Sequence, residues 1–165
     1  MNSRFELFKN QVTNPVKYRL FLLQKLPMGF ISGLRIQSLT AGASSVSVRF
    51  SWVNKNPFRS VYFAVLSMAA ELSTGILAFG QTYQLKPGVS MLVVKMEGEF
   101  YKKAIGKIIF TCNQGKEIEE AIAKTRETGE VTSVHCTSIG VNEQGEEVAK
   151  FVFSWSYKAK ASAQK

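Results

Sequence analysis

The chain has 165 residues, 45% of them apolar and 20% charged, and a formal net charge of +9. That length and apolar share suit one compact domain over 1–165, and the lack of repeats or Pro/Gly/Ser-rich linkers argues against a second. No charged run leading into an apolar one opens the chain, and the greasiest stretch is interrupted by Glu71, so neither a signal peptide nor a membrane span is expected and the protein reads as cytoplasmic.

The basic balance asks for an anionic partner or serves solubility. Nucleic acid is not expected, because the charge is scattered, with part of it in a frayed basic tail over 158–165, and no dense basic stripe interleaves with exposed aromatics. A phosphorylated small molecule is the better partner.

In chain order, a short segment from Arg4 to Asn10 precedes Asn14-Pro15, an N-cap and first-turn pair that predicts a helix to about Lys25, with Val16, Leu20 and Leu23 inward. Residues 1–30 thus form a helical extension, and 31–157 the core. A strand is expected over Ile31 to Leu39, and a second over Ser44 to Val53, where Val46, Val48, Phe50 and Trp52 share one face. A long apolar helix fills Asn56 to Gly80. Strands follow at Ser90 to Tyr101, Lys107 to Asn113, Val131 to Asn142 and Val148 to Tyr157, with a helical insertion at Gln114 to Thr128 and a hairpin turn at Gly145. Cys112 and Cys136 lack metal-ligand spacing and read as two small buried side chains; His135, the sole histidine, reads as structural. No metal is expected.

The long helix is apolar almost all the way round, so other structure must wrap it, yet it carries one carboxylate near its middle. At about 100° per residue, Ser60, Ala64, Ser67, Thr74 and Ala78 fall on the side of Glu71, a narrow stripe of small and polar groups. Such a stripe serves close packing, or it lines a site in which Glu71 is general base or nucleophile and the helix start polarises a carbonyl.

An order of helix, two strands, one long apolar helix and four strands is an α+β pattern in which an antiparallel sheet curls round a single helix. It resembles the hotdog fold of acyl-thioester hydrolases and dehydratases over about Ile31 to Tyr157. The spacing Asn56, Tyr62, Glu71 is similar to that of thioesterases of the phenylacetate-pathway type, which carry an Asn, a His six residues later followed by two Gly, and an acid nine residues after the His. The chain looks most similar to an uncharacterised thioesterase-like branch. The resemblance implies an acyl thioester of coenzyme A or a carrier protein as substrate, with no cofactor beyond the coenzyme A in the substrate, and a homodimer or dimer of dimers. It implies catalytic roles for Glu71, as base or nucleophile, and for Asn56, which also suits a plain helix start. Substrate contacts fall to Ser60, Tyr62, Phe63, Ala64, Ser67 and Thr74. Tyr62, Phe63 and Ala64 stand at the family's His-Gly-Gly positions, a departure that bears on turnover rather than fold. Lys95, Lys102, Lys103 and Lys107 stand where such proteins meet the nucleotide of coenzyme A, or form a solvated basic edge. The alternative to hydrolysis is a noncatalytic acyl-ligand binder or structural dimer.

Overall fold

A computed structural model describes residues 3–161. Three helices open the chain: α1 (Ser3–Val12), α2 (Pro15–Lys25) and α3 (Pro27–Ile31). Asn14 caps α2 as expected, its side chain accepting from the amides of Val16 and Lys17, both at 3.1 Å. The inner face of α2 differs from the expectation: Tyr18 and Leu22 are buried, whereas Val16, Leu20 and Leu23 are exposed. Both faces of this helix are greasy, and α1 and α3 cover the one that carries the aromatic ring.

Strands β1 (Arg35–Leu39) and β2 (Ser44–Arg49) are shorter than expected. Pro27 starts α3, which takes Ile31 from the expected strand, and Gly33, at φ +76°, makes the turn that follows. Beyond β2, Asn54 turns the chain into a short 3₁₀ helix (Trp52–Asn54): its side chain accepts from the Ser51 amide and donates to the Arg49 carbonyl, both at 2.9 Å. Trp52 therefore leaves the face shared by Val46 and Val48, and is 78% exposed.

The central helix α4 (Phe63–Thr82) begins seven residues later than expected, because Asn56 closes a turn rather than opening a helix. It is followed by β3 (Val89–Phe100), β4 (Lys107–Cys112), α5 (Gly115–Thr128), β5 (Thr132–Val141) and β6 (Glu147–Ala159). Gly145, at φ +79°, makes the β5–β6 hairpin turn. Strand β6 stays paired with β3 through Ala159, so the expected basic tail starts inside the sheet; residues 162–165 lie outside the described residues.

The six strands form one antiparallel sheet in the order β1-β2-β4-β5-β6-β3. Helix α4 packs against β2, β4, β5 and β6, with α1 and α5 on its other sides, which is why its sequence has no wide polar face. This wrapping also accounts for a helix apolar enough to cross a membrane: it is core. Buried hydroxyls pin it in register. Ser44 donates to the Ser73 carbonyl, and the Ser73 and Ser138 hydroxyls bond at 2.7 Å. Gly80 lets α1 approach, since a Cβ there would come within 2.6 Å of the Phe5 ring. Cys112 and Cys136 are buried free thiols, and His135, exposed on β5, bonds through Nδ1 to the Ser154 hydroxyl at 2.8 Å.

Candidate active site on the central helix

Where α4 starts, the chain leaves the 3₁₀ turn, makes a bridge between Lys55 and Val61, and enters the helix at Tyr62, the N-cap. Asn56 organises the intervening loop. Its Oδ1 accepts from the amides of Phe58 (3.0 Å) and Ser60 (3.2 Å), and its Nδ2 donates to the Ser60 hydroxyl (2.9 Å). The Asn56 and Ser60 side chains are thus bound to each other. The Tyr62 amide is also taken, donating to the Asn54 carbonyl at 2.8 Å. The amides of Phe63 and Ala64 are the first of the helix, have no carbonyl four residues back to bond, and donate to no group among the described residues. With the helix dipole behind them, they are donors suited to a developing oxyanion.

Two turns further on, Glu71 is half-buried and makes neither a hydrogen bond nor an ion pair among the described residues. Burial alone pushes its carboxyl up to about 7. The expected stripe divides at this residue. Ala64 and Ser67, on its N-terminal side, are half-open; Thr74 and Ala78 are fully buried. Thr74 is spent in the core, donating to the Glu71 carbonyl and accepting from Trp155 Nε1, both at 2.9 Å.

Glu71 heads a groove of about 270 Å³ between α2 and α4. Phe21 and Leu26 wall it on one side, Leu72, Ile76 and Phe79 on the other, and among the described residues Lys25 joins Glu71 as its only other charged lining residue. Gly75 makes room for the carboxylate: a Cβ there would meet Glu71 Oε1 at 3.0 Å and the Trp155 ring at 3.2 Å. Phe21, Leu26, Gly75 and Trp155 were not singled out from sequence. Gly75 did carry a signal, as a glycine inside a greasy helix one turn after its acid.

The four lysines do not converge. Lys95, on β3, pairs with Glu97 at 2.8 Å, and Lys102 pairs with Glu146 at 2.6 Å. Lys107 reaches Gln37 at 2.9 Å and lines a separate cleft with Arg35 and Arg49. Lys103 lies nearest the helix start, donating to the Phe58 carbonyl in the Asn56 loop at 3.3 Å.

Solved structures share this architecture. The chain is similar to a protein of unknown function from Pseudomonas aeruginosa described as a probable thioesterase, with TM-score 0.74 and 23% identity over 91% of this chain and 99% of that one. It is similar to a thioesterase of Haemophilus influenzae, with TM-score 0.62 and 11% identity over 88% and 92%. It is also similar to the E. coli PaaI protein of the phenylacetic acid degradation operon, with TM-score 0.60 and 15% identity over 86% and 89%. These likenesses establish the hotdog fold, an antiparallel sheet around one long helix. No curated protein matches the sequence. A family model matches residues 19–157, and the chain accordingly belongs to the family described as a domain of unknown function, DUF4442.

Proposed function

We propose that the protein hydrolyses acyl thioesters, with Glu71 as general base or nucleophile and the amides of Phe63 and Ala64 as the oxyanion site. The observation that carries this reading is an unpaired, half-buried carboxylate at the head of an apolar groove, on a helix whose first amides are unspent. As base, Glu71 takes a proton from water as the water oxygen bonds to the thioester carbonyl; the carbonyl oxygen gains charge beside the amides. The C–S bond then breaks, and the thiolate leaves with the proton.

Both groups must lie within about 3 Å of one substrate group. Along one helix, Ala64 and Phe63 stand seven and eight residues before Glu71, about 10–12 Å at 1.5 Å per residue, too far for one carbonyl to meet both. We therefore place each site between two copies, Glu71 from one and the helix start from the other. Strand β3 supports such pairing: it is a sheet edge of 12 residues carrying exposed Leu92, Val94, Met96 and Phe100. In this arrangement Asn56 and Ser60 shape the helix start rather than touch water, Tyr62 and Ser67 border the thioester, and Lys103 is the lysine best placed for a coenzyme A phosphate. Two free buried cysteines suit a reducing compartment such as the cytoplasm.

A panel of acyl-CoA esters, with free thiol as readout, tests the reading. Hydrolysis of at least one ester, reduced about 10²-fold or more by Glu71→Gln, is expected. Full activity in that variant would remove Glu71 from catalysis, and binding without turnover would favour the acyl-ligand binder.

A further inference from the structure

The groove below Glu71 ends at Phe79, within helix α4. The rings of Phe21 and Phe79, with centroids 6.3 Å apart, stand across it, and both also line a second cavity, of about 370 Å³. That cavity adds Phe8, Gln11 and Val12 of α1, Lys17, earlier in α2, and Tyr83, just past α4, so it lies beyond the ring pair, where α1 joins the two helices. On the near side of the rings every lining residue except Glu71 and Lys25 is apolar or glycine. An apolar slot headed by a carboxylate and closed by two aromatic rings fits a flexible hydrocarbon chain whose polar end sits at Glu71.

We propose that this slot holds the substrate's acyl chain and that the Phe21–Phe79 pair is the stop that limits the enzyme to medium-length straight chains. The proposal rests on the hydrolase reading for what sits at Glu71, but the slot itself can be probed without turnover. Its length follows from the helix. Glu71 and Phe79 are eight residues apart, about 12 Å at 1.5 Å per residue. An extended chain advances about 1.25 Å per carbon, given C–C bonds near 1.5 Å at tetrahedral angles, so the slot takes about eight to ten carbons. Phe79 is the better gate to open. It is 40% exposed, and its removal joins the two cavities without cutting into the sheet-facing core.

Neutral straight-chain alcohols serve as probes, since a fatty acid carboxylate would be repelled by Glu71. Their binding to the whole protein is measured by displacement of a fluorescent hydrocarbon, in parallel with hydrolysis of acyl-CoA esters of the same lengths. In the wild type, affinity should rise about fourfold per added methylene, the burial of one CH₂, up to about ten carbons and then level. In Phe79→Ala the rise should continue for about four further carbons, and in Leu26→Trp, which fills the slot from its solvent side, the break should move to shorter chains. Phe79→Leu guards against loosening of α1, whose Phe8 packs edge-on to Phe79 with centroids at 5.2 Å; its break should fall between those of the wild type and Phe79→Ala. A wild-type affinity that climbs without a break, no alcohol binding at all, or a break that stays put in Phe79→Ala and Leu26→Trp would overturn the slot. If hydrolysis is absent while the breaks move as stated, the slot stands and the hydrolase reading fails. If hydrolysis occurs at all lengths alike, the slot fails and the hydrolase reading stands.

Discussion

At Glu71, burial and chemistry pull on the same proton. With its carboxyl pushed up to about 7 by burial, the residue is largely protonated at pH 5 and ionised at pH 8. Turnover by the carboxylate should thus rise with pH through about 7. Stability runs the other way. The unfolded chain releases this proton near 4.5, before the folded chain does, so between those values the folded state binds more protons and stability falls as pH rises, by up to about 3 kcal/mol, then levels above 7. Lys25 is the other charged group among the described residues that line the groove, and no ion pair joins it to Glu71 among them. Glu71→Gln should melt like the wild type at pH 5 and at a higher temperature at pH 8; a lower melting temperature at both would reveal a structural partner for the carboxylate. Gly75→Ala tests the space beside it. The added methyl must displace either the carboxylate or the Trp155 ring, and the carboxylate is the free end of a flexible chain. Turnover should fall at least tenfold while the melting temperature moves little, and a retained kcat/KM would show that the carboxylate works from elsewhere. Glu71 was legible from sequence because one acid in a fully apolar helix has few reasons to be there. Gly75 and Phe79 were not, since a glycine and a phenylalanine in such a helix read as packing until the opposing helix is seen.

Among the elements, those with one alternating or greasy pattern were read closely. The last four strands and α5 agree with their expected limits to within two residues. At the end of β2 and the start of α4, the differences lie where side chains, rather than periodicity, turn the backbone. Asn54 and Asn56 each bind backbone groups within six residues of themselves, and these bonds end β2 early and start α4 late. Asn56-Pro57 has the composition of a helix start, but its bonds make a loop, with Arg59 at φ +59° closing it. Asn54 holds more of the site than its position suggests. It is buried, donates also to the Ser32 carbonyl at 3.3 Å, and offers its own carbonyl to the Tyr62 amide. Asn54→Ala would leave buried backbone groups unpaired, costing about 1–3 kcal/mol in denaturant unfolding, and should lower kcat as the helix start loosens. A kcat that stays unchanged while stability falls would mean that this network does not fix the amides.

In the whole molecule, α2 lines the groove that Glu71 heads. The groove exists only because α2 stands off from α4, an arrangement that no periodicity in either segment announces. Oligomerisation through β3 is the expectation with the widest reach, because in the proposed arrangement it would extend the sheet and assemble the oxyanion site at once. Val94→Lys places a charge on the exposed edge face and should give monomers in light scattering together with lost hydrolysis. A monomeric variant that retained full turnover would require both groups to act within one chain, against the helix geometry. The separation of Glu71 from its own helix start also permits complementation between defective chains. Phe63→Pro deletes one first-turn amide at a position where proline suits the backbone, since Tyr62 before it is extended at ψ 135°. Chains with Phe63→Pro and chains with Glu71→Gln should each be nearly inert. Unfolded together and refolded at equal amounts, half of the dimers would be mixed, each with one site intact and one doubly damaged, so activity should return to about a quarter of the wild-type value.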